Sequence, residues 1–326
     1  MQRNSTDKLI EIGLAAAIVA IERGQPHILV SDDESGEDGL PYGSFEPLKH
    51  RTLEIALRDF VVTQTGLSLG YVEQLYTFAD RGRHINPDDD APHVVSIGYL
   101  ALTRSDSGQA QTMHQAKFKS WYDYFPWEDW RGGRPAILDR NLMPQLMIWA
   151  NDRKADEAEA YQRALSRLER LRLCFGADEG PWDEEKVLER YELLYEAGLM
   201  REAVRDGRVA TGKMQTHDFG ESMRHDHRRI LATAMGRLRA KLKYRPVVFE
   251  LMAPEFTLTA LQSTVEAISG RHLHKQNFRR LVESTALVEP TGSQTMTRGR
   301  PAALFRFRRD VLQERPAPGL RVGQRG

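Results

Sequence analysis

Seven side chains near the C-terminal end could engage a polyanion: Lys275, Gln276, Asn277, Arg279 and Arg280 within one short segment, and Arg298 and Arg300 further on. Guanidinium and ammonium groups bind phosphate oxygens, while the amides of Gln and Asn can pair with base edges, so this mixture suits a phosphate-rich, patterned partner. The whole chain of 326 residues has a formal net charge of zero, which alone would argue against such a partner. The average conceals a segregation. Between Arg271 and Arg309 stand nine basic residues and two acidic ones, Glu283 and Glu289, a balance of +7, so the remainder carries −7. One electropositive end on an acidic body steers that end toward polyanions.

The elements needed to hold those residues are legible. In "EFTLTALQSTVEAISG" Thr257 is placed to cap a helix that Gly270 ends, and after the turn "GRHLHK" a second helix turns Phe278, Leu281 and Val282 inward. Lys275, Gln276, Asn277, Arg279 and Arg280 then fall on its outer face, as in a recognition helix entering the major groove. The strands "LVEP" and "ALFRFRR" bracket "TGSQTMTRGRP", whose Arg298 and Arg300 suit the tip of a wing. Helix, turn, cationic helix and Arg-bearing hairpin in this order predict a winged helix from Phe249 to Arg309 that binds duplex DNA. Thr257 joins the candidate DNA contacts as the start of the first helix.

Other chemistries find less support. Cys174 is the single cysteine, so no internal disulfide can form, and its Leu- and Arg-rich surroundings read as packing. His225 and His227 invite a metal, but no Cys or second acidic cluster stands at ligand spacing, and a helix start capped by Asp226 is the better account. The apolar run Ile12 to Ile21 is too short to cross a bilayer and shows no leader pattern. A cytoplasmic protein without membrane contact is expected.

Upstream, "LAAAIVAIE" and "PHILVSDD" read as strands divided by Arg23-Gly24-Gln25-Pro26. "LEIALRDFVVTQTGL" places Leu53, Ala56, Leu57, Phe60 and Val61 on one helical face with Gly66 as its C-cap, and "GYVEQLYTFAD" and "HVVSIGYLALTR" read as further strands. The order β-β-α-β-β predicts an α+β domain over residues 1–150. Two charged helices follow in 151–225, "DEAEAYQRALSRLERLRLCF" and "DEEKVLERYELLYEAGLM", the second with Asp183 as N-cap. A linking helix at 226–248, the winged helix at 249–312 and a tail at 313–326 complete the division.

The stretch "LPYGSFEPLKHRTLEIALRDFVVTQTGL" resembles a Nudix box. Together with "EQLYTF", "VVSIGYLAL", "DHRRILATAMGRLRAKLKYRPVVFELM", "EFTLTALQ", "NFRRL" and "GRPAALFRF", it resembles the Nudix-related transcriptional regulators of NAD metabolism. The extra helices make the chain similar to the longer, NadQ-type regulators of alphaproteobacteria. The resemblance implies a Nudix-like α/β/α sandwich with a helical insertion and a C-terminal winged helix-turn-helix domain. It also implies a repressor of NAD-biosynthesis genes that binds a palindromic operator as a homodimer, with ATP or ADP-ribose as effector, and that associates with the bacterial nucleoid when DNA-bound.

Against the Nudix pattern, the positions for Arg-Glu and Glu-Glu hold Asp59, Phe60, Thr63 and Gln64. Mg²⁺ requires anionic oxygens, so the box predicts binding without hydrolysis and no catalytic residue or metal. Phe45, Arg51, Arg81, Arg83 and Tyr99 are the candidate ligand contacts, by stacking or by pairing with phosphate. Two alternatives stay open: an active hydrolase of ADP-ribose fused to a DNA-binding domain, and a Nudix-type regulator of another pathway such as sugar catabolism.

Overall fold

The computed structural model describes residues 10–32, 36–80, 93–104, 116–152, 164–176, 180–208, 219–296, 300–314 and 319–320. Strand β1 (Ile10–Glu22) forms its spine. Leu14, Ala16 and Ile18 enter the core on one side of the sheet and Ala15, Ala17 and Val19 the core on the other. A strand covered on both faces reads as an unbroken apolar run, because alternation has no polar side to report. The apolar stretch at Ile12–Ile21 is therefore a central strand.

Around β1 assembles a seven-stranded mixed sheet. Strand β2 (Gln25–Asp32) returns antiparallel through the turn at Arg23 and Gly24, with Val19 opposite Ile28. Two short strands, β3 (Asp38–Gly39) and β4 (Tyr42–Ser44), pair with β2 and β1. Strand β5 (Val72–Phe78) lies at an edge, antiparallel to β6 (His93–Leu102), and β6 runs parallel to β1 from Ile10↔His93 to Val19↔Leu102. Strand β7 (Ala116–Ser120) pairs with β2. The sequence pattern missed β3, β4 and β7, whose two to five residues are too short to show a period.

Helix α1 (Leu53–Thr65) covers one face through Ala56, Leu57 and Val61. Thr52 caps its start at Ile55 N–H, and Gly66, at φ 69°, ends it in the left-handed conformation. Short helix α2 (Trp121–Tyr124), helix α3 (Met143–Ala150), α4 (Arg167–Phe175), α5 (Val187–Glu196) and α6 (Arg201–Arg205) gather at the other face. They surround α7 (His227–Tyr244), whose Ile230 reaches the sheet where Gly98 leaves room: a Cβ at Gly98 would lie 3.0 Å from the Ile230 side chain.

Two expected caps are placed differently. The segment with Asp183 begins as a turn in which the Asp183 carboxylate accepts the Glu185 N–H at 3.0 Å, and the helix proper starts only after Lys186. Asp226 does precede α7, but its carboxylate bonds Arg229 instead of a backbone N–H. The charged stretch after Asp152 also yields a shorter helix than its pattern predicts, because Ser166 and Glu169 form a capping box that starts α4 at Arg167. Residues 153–163 of that stretch lie outside the described residues.

A 3-10 turn, Val247–Leu251, joins α7 to the last module. There α8 (Leu258–Ser269), α9 (Lys275–Thr285) and the hairpin β8 (Val288–Thr295) with β9 (Ala302–Phe307) make a winged helix, followed by short α10 (Val311–Glu314). A bridge between Phe256 and Phe305 ties the start of the module to its hairpin. Strand β8 runs through the Gly-containing segment expected to be loop, with an irregular register between Pro290 and Gln294. The apolar core of this module is continuous with that beneath the sheet: Phe278, Val282 and Leu287 belong to one cluster with Ile230, Leu238 and Trp127.

Candidate nucleic-acid interface

Helix α9 is oriented from within. Phe278 and Val282, one turn apart, are 3% and 1% exposed, and Leu281 packs beside them. Fixing that stripe leaves Lys275, Gln276, Asn277, Arg279 and Arg280 on the exposed side, as the sequence pattern predicts. Among the described residues, no hydrogen bond or ion pair engages the guanidinium of Arg279 or Arg280. Their charge faces water and is available to a phosphate.

The turn before α9 is held from α8. The Glu266 carboxylate accepts Leu273 N–H and Gln262 Nε2, both at 2.8 Å, and meets His272 Nδ1 at 3.2 Å. Burial would raise this carboxyl, but these donors, led by the Leu273 amide, hold it below the ordinary Glu range. Thr257 caps α8 as expected, accepting Ala260 N–H at 3.1 Å.

The wing is less uniformly cationic than its sequence suggests. Arg306 is held by Glu289 at 2.6 Å, and the half-buried Arg271 by Glu184 at 3.1 Å. Arg300 is exposed at the hairpin end, while Arg298 lies outside the described residues. Pairing thus withdraws at least two of the nine basic residues, Arg271 and Arg306, from the outward charge of the module.

Of the candidate ligand contacts, Phe45 and Tyr99 occupy the α1 side of the sheet. Phe45 packs against the core there, and its N–H donates to Ile12 O at 2.8 Å. Tyr99 is 3% exposed and its hydroxyl reaches Gln74 at 3.4 Å. Burial, then the charge of Glu54, pushes that hydroxyl up from its usual value. Arg51 is exposed just before α1, and Arg81 and Arg83 lie outside the described residues. Phe45 and Tyr99 therefore share a face and a core cluster, with the polar end of Tyr99 facing Gln74.

At the degenerate box, each side chain is already engaged. Asp59 meets His50 at 3.2 Å, Thr63 donates to Asp59 O at 2.9 Å, and Gln64 donates to Tyr42 O at 2.7 Å. Phe60 packs on the core. Glu46 pairs with Lys49 at 2.6 Å and Glu54 with Arg58 at 2.9 Å. The donors here do not fit a hard divalent cation, and among the described residues no three His, Cys, Asp or Glu gather at metal-binding distance. His227 instead accepts Leu40 N–H through Nδ1 at 3.0 Å. Cys174 is half-buried against the core, which pushes its thiol up and makes it a poor nucleophile.

Sequence reasoning missed a buried polar junction. Glu128, Arg190 and Arg239 are at most 1% exposed. Arg190 lies on α5 and Arg239 on α7, in patterns that read as solvated charge; only the fold brings them to Glu128. Among the described residues no helix is long and apolar enough to cross a membrane.

Comparison with known proteins agrees with this geometry. Residues 248–307 match the model of the family described as the NrtR DNA-binding winged helix domain. An 82-residue stretch is 42% identical to the "ADPR responsive transcriptional repressor NtrR" of Acinetobacter baylyi, covering 25% of this chain and 33% of that protein. The match thus spans about a third of the relative's length. Among solved structures, the chain is similar to Shewanella oneidensis NrtR complexed with a 27mer DNA, at 18% identity and a TM-score of 0.55, covering 93% of this chain and 95% of that one. It is also similar to a MutT/nudix family protein from Enterococcus faecalis, at 13% identity and a TM-score of 0.51, covering 94% of this chain and 90% of that one. The fold is that of a Nudix-like α/β domain followed by a winged helix, the latter matching the NrtR DNA-binding winged helix domain.

Proposed function

We propose that this chain is a DNA-binding transcriptional repressor of NAD-biosynthesis genes, of the NadQ type, whose affinity for a palindromic operator is set by an adenine nucleotide held on the Nudix-like domain. The observation that carries the reading is α9: an inward Phe278–Val282 stripe that turns Lys275, Gln276, Asn277, Arg279 and Arg280 outward, in a module matching a DNA-binding family. Thr257, at the start of α8, and the wing residues Arg298 and Arg300 complete the DNA contacts. Cation-to-phosphate pairing supplies affinity, and Gln276 and Asn277 supply base discrimination.

Phe45, Arg51, Arg81, Arg83 and Tyr99 form the nucleotide site. The description of the Acinetobacter relative as ADPR-responsive supports ADP-ribose as effector, with ATP as the other candidate. The domain binds this nucleotide without hydrolysing it, since Asp59, Phe60, Thr63 and Gln64 offer no metal cage. The protein acts in the cytoplasm, on the nucleoid when DNA-bound, and as a homodimer, since one winged helix contacts too few bases for genomic selectivity.

Titration of the full-length protein with ADP-ribose, ATP and NAD, with and without a duplex from an NAD-biosynthesis promoter, tests the reading. Specific binding that one nucleotide alters is expected, with no Mg²⁺-dependent release of AMP. Binding no tighter than to random duplex, or steady turnover of ADP-ribose, overturns it. By linkage, a nucleotide that weakens DNA binding must itself bind less tightly to the DNA-bound form.

A further inference from the structure

The last turn of α8 leaves carbonyl groups that its own helix cannot satisfy. Donors outside the winged helix take them up. Tyr122 Oη donates to Ala267 O at 2.7 Å, Arg239 Nε to Ile268 O at 2.9 Å, and Trp130 N–H to Gly270 O at 2.7 Å. The backbone comes so close at Gly270, with φ +73°, that a Cβ there would stand 2.4 Å from Glu128 O. Recognition helix α9 begins five residues beyond Gly270, so whatever grips this turn also aims that helix.

The grip is a buried charge junction. The Glu128 carboxylate accepts Arg190 Nε at 2.6 Å, a second nitrogen of Arg190 at 2.9 Å and Arg239 Nη1 at 2.7 Å. Arg239 also donates to Glu184 O at 2.9 Å, and Arg190 to Cys174 O at 3.0 Å and Asp183 O at 2.9 Å. Trp182 covers the Arg190 guanidinium at 3.8 Å. Glu184 itself reaches Arg271 at 3.1 Å and Lys243 at 3.2 Å. Cys174, Trp182, Asp183, Glu184 and Arg190 all lie in the segment between the sheet domain and α7. The Arg190 guanidinium binds Glu128 in the 3-10 turn Pro126–Glu128 of the sheet domain, the Glu184 backbone carbonyl binds Arg239 of the linking helix, and the Glu184 carboxylate binds Lys243 of that helix and Arg271 of the winged helix.

We propose that the helical segment between the sheet domain and α7, over its described residues 164–176 and 180–208, is a brace, which locks the winged helix to the Nudix-like domain through Glu128, Arg190, Arg239 and Glu184. Module and sensor domain then move as one piece, and an effector acts by changing the spacing of two such pieces, not by bending the connection at Val247–Leu251. Arg239 and Glu184 are positioning residues for α9. This rests on the repressor reading only where DNA is concerned.

Two mild variants of the full chain test it. Glu184→Gln removes the charge opposite Arg271, and Tyr122→Phe removes the donor to Ala267 O while keeping the ring. Amide hydrogen exchange at residues 267–273 is expected to rise at least tenfold in both, with β1 unchanged. Preference for promoter over random duplex is expected to fall about tenfold, with affinity for the random duplex retained. Exchange at 267–273 unchanged in both variants overturns the brace, as does a rise shared equally by β1. If the unaltered protein shows no preference between duplexes, the repressor reading fails, and exchange alone decides the brace.

Discussion

Arg279 and Arg280 follow Phe278 directly, so the burial of one ring determines where two charges point. Both are exposed, and among the described residues replacing them by Ala removes no hydrogen bond or ion pair. The expected outcome is weaker DNA binding and a log–log salt dependence shallower by about 1 for each phosphate left unpaired, read by fluorescence anisotropy at several salt concentrations. An unchanged slope would place the phosphates on another surface. Exposure of these residues was legible in the sequence, because a stripe at helical spacing has only one opposite face. The pairing of Arg271 and Arg306 was not, since Glu184 is distant in sequence and Glu289 meets Arg306 only across the hairpin.

Among the elements, α9 carries an unusual end. Ala286 closes it at φ 48°, in the left-handed region where a Cβ costs about 1 kcal/mol and glycine nothing. Ala286→Gly is expected to raise the stability of the winged helix by up to about 1 kcal/mol in urea unfolding. At the opposite end of the module, Thr257→Ala should cost about 1 kcal/mol by leaving Ala260 N–H without its acceptor, in the same measurement. As a proposed DNA contact, Thr257→Ala is also expected to weaken DNA affinity at fixed salt. An unchanged affinity would leave the hydroxyl as this cap alone.

The molecule as a whole places charge where water is absent. Burial would raise the Glu128 carboxyl, but Arg190 and Arg239 overcome that and hold it below the ordinary Glu range. A carboxyl depressed in the folded state contributes stability that is full above the unfolded value and is lost as pH falls through the folded one. Glu128→Gln, which leaves two buried arginines short of a counter-charge, is therefore expected to destabilise the protein by about 3–5 kcal/mol at neutral pH. The gap from the unaltered protein should narrow on acidification below the ordinary Glu value, as measured by urea midpoints from about pH 7 to about pH 3. A gap constant with pH would mean that Glu128 is not the charged partner. At the scale of assembly, sedimentation at micromolar concentration is expected to give about twice the chain mass of 37.2 kDa. A single-chain mass would remove the palindrome argument.

By itself the sequence determined what depends on neighbours within a few residues: the caps at Thr257, Gly66 and Gly270, the inward stripe and outward cations of α9, the central strands and the carboxylate-poor box. These follow from local periodicity and side-chain chemistry, which act along the chain. Only the tertiary structure decided that β1 is covered on both faces, that Arg271 and Arg306 are spoken for, and that Glu128, Arg190 and Arg239 meet out of water. A charged residue in an amphipathic pattern looks the same whether it faces solvent or a buried partner far along the chain, and that difference belongs to packing.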